Sequence, residues 1–128
     1  MITAIFAAFL IAHGLIHLPV WAASGPAQDG NRPPFDARHS WALAVAGLPQ
    51  ARAGRVSIGL ASAAAMLYVI AGAAVASGGT AWATAAVIAA VVGLALKVLW
   101  FHPWLSLGVL LDVGVLISVY TYWPASLY

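Results

Sequence analysis

The stretch VSIGLASAAAMLYVIAGAAVA, residues Val56–Ala76, carries no charged residue and decides the fold class. A helix rises 1.5 Å per residue, so about 20 apolar residues cross the roughly 30 Å hydrocarbon core of a bilayer. Three further predominantly apolar runs have this length: Ile2–Ala22, Ala81–Phe101 and Trp104–Trp123. The sequence therefore predicts an all-α integral membrane protein, a four-helix bundle forming one domain over residues 1–128.

The composition and the helix ends favour the same fold. Hydrophobic residues make up 64% of the chain and charged residues 6%, against about 25% charged in ordinary soluble domains. The links Ser77–Thr80 (SGGT) and His102–Pro103 contain the Gly and Pro breakers that suit tight helical hairpins. Indole favours the headgroup level of a membrane, and these tryptophans lie at predicted span ends: Trp21, Trp82, Trp100, Trp104 and Trp123.

Composition also excludes several kinds of function. The chain has no cysteine, which excludes disulfides, thiolate nucleophiles and cysteine metal sites. A net charge of +2 from so few charged groups predicts no nucleic-acid binding.

The expected partner is the lipid bilayer. A homo-oligomer or a larger membrane complex is a further expectation, because four short helices make a thin wall for a transport path.

The first two spans are joined by a long polar connection. Its apolar run Trp41–Leu48 is too short to cross a bilayer. We expect Asp36 to cap a short helix that ends at Gly47 or Leu48 and either lies along the interface or dips back into the protein.

Basic residues predict the orientation. Four spans make three reversals, so the long connection and the turn between the last two spans share one side, called here the loop side. The loop side carries all the arginines: Arg32, Arg38, Arg52 and Arg55. By the positive-inside rule we expect this side to face the cytoplasm and both termini to lie outside the cell membrane.

The four histidines, His13, His17, His39 and His102, all belong to the loop-side half. His13 and His17 are four residues apart and share a helix face. The helical rise puts His13 level with Asp112 and His17 level with Lys97. An unpaired carboxylate near mid-bilayer is costly, so Asp112 and both histidines are expected to face the bundle interior and line a polar pocket. The Lys97 side chain is expected to extend to the interface.

Several functions remain open for this pocket. Two histidines at i and i+4 offer two nitrogens to a metal ion, and His39 or His102 would complete the set with Asp112 as ligand or outer partner. Haem held by one helix histidine and His102, or a small apolar ligand, are alternatives. In a purely structural interpretation, His13 bonds Asp112, and His17 bonds the carbonyl of His13 or the one that Pro19 leaves unpaired near Leu15.

Two further hypotheses come from other classes of protein. His13 could act as a general base oriented by Asp112 on a lipophilic substrate, which would make the protein a small membrane enzyme. Alternatively the chain is a transport or packing subunit of a larger complex.

Three short motifs are spread over most of the chain: AHGLIHLPVW (12–21), FDARHSW (35–41) and FHPWLSLGVLLD (101–112). They resemble a family of small uncharacterised bacterial four-helix integral membrane proteins with HGLIHL, DxRHSW and FHPWL motifs. The resemblance implies a four-helix membrane fold and no particular mechanism. Its motif positions fall here on His13, His17, Asp36, His39, His102 and Pro103.

Overall fold

The computed structural model describes residues 1–23 and 35–128, and within these residues the fold is all-helical, with no strand. The described part contains five α-helices: α1 (Ile2–Ala22), α2 (Trp41–Val45), α3 (Gln50–Ala76), α4 (Trp82–Leu99) and α5 (Ser106–Tyr120). A 3₁₀ turn at Pro103–Leu105 leads into α5, and a second one follows at Ala125–Leu127.

Four helical segments are long and apolar enough to cross a membrane: Ile2–Ala22, Gln50–Ala76, Trp82–Leu99 and Pro103–Tyr120. The predicted four-helix membrane bundle is thereby confirmed. Helix α3 begins at Gln50, well before the predicted Val56. The reason is that apolarity marks only the part of a helix suited to hydrocarbon, whereas Gln, Ala and Arg are good helix formers that extend α3 into its polar first turns.

The long helices pack in chain order, with α1 against α3, α3 against α4, and α4 against α5. The most extensive contact is between α1 and α3. A Cβ atom added to Gly14 would lie 2.6 Å from Cβ of Tyr68, and one added to Gly72 would lie 2.8 Å from the carbonyl oxygen of Ala7. Glycine at these two positions lets the helix backbones approach closely, as is common between membrane helices.

Two apolar clusters fill the bundle. One lies towards the chain termini and includes Phe6, Leu10, Val75, Trp82 and Val115. The other lies at the loop side and includes Trp21, Phe35, Leu96, Trp100 and Leu105. The buried charged residues and histidines occupy the level between them, so the interior is layered as apolar, polar and apolar from one side to the other.

The short helix of the connection exists, but its predicted cap is wrong. The N-cap of α2 is Ser40, whose Oγ accepts a hydrogen bond of 3.1 Å from the backbone N–H of Leu43. Asp36 lies too far upstream for this, and its carboxylate instead accepts bonds from the backbone and guanidinium of Arg38. The helix ends at Val45, and Gly47 follows in the left-handed conformation with φ 75°, a glycine C-cap.

The connection is anchored on the loop-side end of α4. The indole N–H of Trp41 donates to the carbonyl oxygen of Val98 at 2.8 Å, and Ser40 Oγ donates to that of Leu99 at 2.6 Å. The last carbonyls of a helix have no partner within the helix, so these side chains satisfy them. Arg32, which contributes to the predicted charge bias, lies outside the described residues.

Candidate functional site

Asp112 on α5 is the centre of a buried group of polar side chains. Its Oδ1 accepts hydrogen bonds from Nε2 of His13 at 2.8 Å and from the hydroxyl of Tyr68 at 2.7 Å. Its Oδ2 accepts one from Nζ of Lys97 at 2.7 Å. These residues come from all four long helices, and with His17 we call them the polar cluster: His13, His17, Tyr68, Lys97 and Asp112.

The hydrogen bonds of His17 define its protonation. The ring Nδ1 lies 2.9 Å from the carbonyl oxygen of His13, and Nε2 lies 3.0 Å from Nζ of Lys97. A carbonyl oxygen only accepts and an ammonium only donates, so Nδ1 carries the proton and Nε2 carries a lone pair. His17 is therefore a neutral ring with both nitrogens engaged.

Lys97 does not extend to the interface, and that prediction is wrong. Only 4% of the residue is exposed, and Nζ donates to Oδ2 of Asp112, to Nε2 of His17 and, at 3.3 Å, to the carbonyl oxygen of Gly93. An ion pair is strong at low dielectric, and each of its charges would be costly there alone. The ammonium and the carboxylate thus cancel within the cluster, and all three N–H groups of Lys97 are used.

Two glycines make room for this ion pair. A Cβ atom at Gly93 on α4 would lie 2.6 Å from Oδ2 of Asp112, and one at Gly108 on α5 would lie 2.5 Å from Cε of Lys97. Both distances are well inside van der Waals contact. The absent side chains therefore shape the space that the two charged groups occupy between α4 and α5.

His13 has one nitrogen engaged and one without a partner. Its Nε2 faces the Asp112 carboxylate, so this nitrogen carries the proton and Nδ1 carries a lone pair. A second proton on the ring would give the buried cluster a net positive charge, which a membrane interior disfavours. Among the described residues, Nδ1 of His13 is the one buried side-chain nitrogen or oxygen that has no hydrogen-bond partner.

Aromatic rings hold the His13 imidazole in place. The Phe9 ring is nearly parallel to it, with centroids 5.7 Å apart and an interplanar angle of 8°. The Tyr68 ring meets it edge-on with centroids 4.8 Å apart. Packing on both sides, together with the bond to Asp112, gives the ring one defined orientation.

A cavity of about 300 Å³, the loop-side cavity, adjoins the polar cluster between α1, α4 and α5. His13, His17 and Lys97 form its polar wall. The remaining walls are mostly apolar: Ile16, Val20, Trp21, Trp104, Leu105, Leu107, Gly108 and Leu111. Ile16 and Leu107 at its edge are 56% and 67% exposed, and on membrane-spanning helices such side chains face lipid. The cavity therefore opens sideways towards the bilayer.

A second space lies between α1 and α5, nearer to the chain termini. A groove of about 550 Å³, the terminal-side groove, runs between α1 and α5 and is lined by apolar side chains such as Ile5, Phe9, Leu110 and Ile117. Leu111 lines both the groove and the loop-side cavity. The two spaces therefore adjoin each other at the level of Asp112.

The other two histidines lie apart from this group. Nδ1 of His39 donates to Asp36 at 3.1 Å, and its Nε2 accepts from the amide of Gln50 at 2.7 Å. Nδ1 of His102 accepts a bond of 3.1 Å from the backbone N–H of Trp104. The structure thus brings together His13, His17 and Asp112 of the predicted site residues, and it places His39 and His102 in other contacts.

Asp36 is the acidic residue in the described part of the connection. Hydrogen bonds from the Arg38 side chain lower the pKa of Asp36 to about 2, against the opposing effect of burial. Asp36 is therefore a carboxylate at neutral pH, and it contacts the side chains of Arg38 and His39 shortly after it in the chain.

The sequence analysis missed two residues at this site, Tyr68 in the polar cluster and Gly93 beside it. Tyr68 lies near the centre of the predicted span Val56–Ala76, far from the interfaces where tyrosine is usual, and its buried hydroxyl needed a partner. That signal was available. The role of Gly93 was not, because it depends on which helix face meets Asp112.

The cluster can do three things chemically. His13, His17 and Asp112 could hold a metal ion, because each offers a ligand atom and these atoms lie within 4.8 Å of one another. The Asp112–His13 pair resembles a base and its orienting carboxylate. The lone pair on Nδ1 of His13 can also accept a hydrogen bond, and no donor among the described residues supplies one.

No protein-family model, curated protein or solved structure matches this chain. The fold and the cluster define its class without such a match. It is a multi-pass membrane protein with an ion pair, two histidines and a tyrosine buried at the middle of a four-helix bundle.

Proposed function

We propose that this protein binds a lipid-soluble small molecule in the loop-side cavity, with the polar cluster at one wall. The observation that carries the proposal is the cavity itself, about 300 Å³ in volume, with apolar walls and three buried polar side chains. Ligand pockets usually have volumes of roughly 300–1,000 Å³ and combine apolar walls with a few well-placed polar groups. The lateral opening between Ile16 and Leu107 favours a ligand that arrives from the bilayer.

The rigidity of the polar wall supports a binding role. Lys97 donates to both His17 and Asp112, and the other ring nitrogen of His17 donates to the carbonyl oxygen of His13. The His13 ring is packed between aromatic neighbours. A wall that is already ordered loses little conformational entropy when a ligand binds. The buried charges also sum to zero, so an uncharged ligand meets no uncompensated charge in the wall.

Photolabelling tests the proposal. Two probes, a hexadecanol and a hexadecyl methyl ether that each carry a diazirine on the chain, are added to the protein in phosphatidylcholine nanodiscs and activated by light. We expect saturable labelling of cavity residues on α1 and α5, with at least one probe competed by its unlabelled analogue. Labelling that is spread over all lipid-facing surfaces and cannot be competed would contradict the proposal.

A pair of variants localises the binding. Leu111 lines both the loop-side cavity and the terminal-side groove, so Leu111→Trp fills part of this space. We expect it to reduce saturable labelling several-fold. Ile70→Trp makes the same kind of change on α3 at a side chain that is 51% exposed and lines neither space. We expect this matched variant to label as the native protein does.

A metal ion is the second candidate ligand, and the compact arrangement of His13, His17 and Asp112 favours it. Ligands of one transition-metal ion lie roughly 3–4 Å apart, so only a small contraction is needed. However, the Lys97 ammonium already occupies the place of a cation between His17 and Asp112. Metal binding therefore requires Lys97 to leave. Elemental analysis of protein purified without chelator tests this candidate, and a metal content far below one per chain would contradict it.

We further propose that the loop side faces the cytoplasm. Arg38, Arg52 and Arg55 are exposed there, and the link between α3 and α4 on the opposite side has no basic residue. The positive-inside bias supports this orientation.

A further inference from the structure

We infer that the outer face of α3 binds an anionic phospholipid, with the lipid phosphate between Arg52 and Arg55 and an acyl chain along the apolar part of the same face. This outer face consists of Arg52, Arg55, Gly59, Met66 and Ile70. It is separate from the loop-side cavity, so the inference does not depend on the proposed function.

The outer face of α3 is turned away from the rest of the bundle. Its five residues are spaced three, four, seven and four positions apart, which places them on one side of an α-helix. All five are exposed. The buried residues of α3, such as Ala61, Tyr68 and Val75, lie on the opposite side of the helix. In a membrane the apolar part of the outer face therefore contacts lipid.

Arg52 and Arg55 carry charges that no residue in the described part of the chain neutralises. Neither guanidinium has a hydrogen bond or an ion pair with another described residue, whereas Arg38 is paired with Asp36. The formal net charge of the chain is +2, and apart from the buried ion pair all its charged side chains belong to the loop side. This end of α3 is thus complementary to an anion.

The spacing of the two arginines suits one phosphate group. Side chains three residues apart on a helix are neighbours, with Cβ atoms about 5–6 Å apart. A guanidinium presents two parallel N–H groups to the oxygens of a phosphate, so Arg52 and Arg55 can hold the same phosphate between them. Phosphatidylcholine would add its own cationic choline group beside the arginines, and phosphatidylglycerol has no such charge. The pair therefore favours an anionic phospholipid over a zwitterionic one.

The level of the arginines matches the level of lipid phosphates. The uncharged stretch of α3 begins at Val56, so the helical rise places Arg55 about 1.5 Å and Arg52 about 6 Å outside the hydrocarbon core. The polar headgroup region occupies roughly 5–8 Å on each side of that core. A phosphate bound to this pair is therefore at the depth where a phospholipid of the bilayer already carries it.

The apolar part of the outer face offers a place for the acyl chain. Gly59 lies about 4.5 Å inside the hydrocarbon core, and a Cβ atom added to it would have nothing within 4 Å, so a chain can lie directly against the helix there. Met66 and Ile70 follow on the same face and are 65% and 51% exposed. A free phosphate ion makes no use of these contacts, whereas a phospholipid does.

Site-specific fluorescence quenching in nanodiscs tests the inference on the full chain. The chain has no cysteine, so Gly59→Cys provides one attachment point for a bimane fluorophore on the outer face. Phosphatidylglycerol or phosphatidylcholine with brominated acyl chains is added as a minor component to unbrominated phosphatidylcholine, because bromine quenches the fluorophore only at close contact. We expect phosphatidylglycerol to bind beside this label at least about tenfold more tightly, since each basic residue near an anionic lipid contributes about fivefold.

A second label position separates this face from a general attraction to the loop side. Val98→Cys places the same fluorophore on α4, where the native side chain is 56% exposed. Val98 lies three residues inside the predicted span end Phe101, as Gly59 lies three residues inside Val56, so the two labels have matched depth. We expect a preference for phosphatidylglycerol of less than about twofold beside Val98.

Arginine variants of the Gly59→Cys protein assign the preference to the pair. Arg52→Gln should lower it about fivefold, and the addition of Arg55→Gln should bring it close to one. Lysine at both positions should retain most of the preference, because the charge remains. Arg38→Gln removes the same charge from a side chain already paired with Asp36, and it should lower the preference by less than about twofold.

Four results would overturn the inference. They are equal quenching by the two lipids beside Gly59, an equal preference beside Val98, a preference that survives the loss of both arginines, and displacement of the brominated lipid by soluble glycerol phosphate. Glycerol phosphate supplies the same phosphate without a chain, so displacement would show a site for phosphate itself. A preference confined to the Gly59 label, dependent on both arginines and unaffected by glycerol phosphate, supports a phospholipid site.

Discussion

Nζ of Lys97 on α4 lies 2.7 Å from Oδ2 of Asp112 on α5, and both side chains are buried. They form a salt bridge that joins the last two spans at a level where neither charge would be stable alone. The same Asp112 reaches His13 on α1 and Tyr68 on α3 through its other oxygen. One carboxylate therefore connects all four membrane-spanning helices.

Breaking this ion pair from either end should destabilise the protein. We expect Asp112→Asn and Lys97→Met each to lower the free energy of unfolding by about 3–5 kcal/mol, because each leaves the other charge buried without its partner. The double variant removes both charges and should lose clearly less than the sum of the two. Reversible unfolding in mixed detergent micelles measures all three. Strictly additive losses would show that the pair is not coupled.

The sequence predicted the level of this cluster but not its connections. Helical rise placed His13 beside Asp112 and His17 beside Lys97, since depth in a bilayer depends only on residue count from a span end. Which way Lys97 turns depends on the space beside it, and that space exists because residues 93 and 108 are glycines facing it from two helices. A single sequence does not reveal such a pairing of helix faces.

The connection between α1 and α3 was likewise predictable only in part. A short helix near Trp41 followed from the apolar run and its flanking turn residues, but the choice of Ser40 over Asp36 as cap depends on where the chain lands on α4. His39 and His102 share the loop side with the cluster, as predicted, yet they satisfy local partners instead. The family resemblance and the expected homo-oligomer or larger complex stay predictions.

Gly93 should tolerate no larger residue. We expect Gly93→Ala to lower the free energy of unfolding by about 1–3 kcal/mol, because the new methyl group would lie 2.6 Å from the Asp112 carboxylate and force it to move. The matched control is Gly59→Ala on α3, where nothing lies within 4 Å of the added Cβ. This control should be neutral or stabilising by up to about 1 kcal/mol, since Ala favours a helix over Gly. Equal effects at the two positions would contradict the packing argument.

Removing the Lys97 ammonium should strengthen the binding of a metal ion. We expect Lys97→Met to bind Ni²⁺ or Zn²⁺ more than about tenfold more tightly than the native protein, because a positive charge no longer sits between His17 and Asp112. Isothermal titration in detergent micelles measures the difference. The variant Lys97→Met with His17→Gln serves as control and should lose the gain. An unchanged affinity in Lys97→Met would show that Lys97 does not exclude metal.

The Asp36 carboxylate should titrate well below its ordinary value of 3.8, with a midpoint of about 2 caused mainly by hydrogen bonds from Arg38. A pKa lowered in the folded state stabilises the connection above pH 3.8, and this stabilisation is lost as the pH falls towards 2. It is small, below about 1 kcal/mol, because the pair is largely exposed. Carbon NMR of the carboxyl group measures the midpoint, which should rise in Arg38→Gln and stay in Arg52→Gln. A midpoint near 3.8 in the native protein would contradict the observed contacts.

The orientation can be tested directly because the chain has no cysteine. We expect Ser77→Cys, in the link between α3 and α4, to react with a membrane-impermeant maleimide in intact bacterial cells that express the protein. Arg52→Cys, on the loop side, should react only after the membrane is opened, since the arginine-rich side is expected to face the cytoplasm. Both positions are exposed, so both variants should react fully in detergent, which controls for access. The reverse pattern in intact cells would place the loop side outside and would show that so few basic residues do not determine the topology of this bundle.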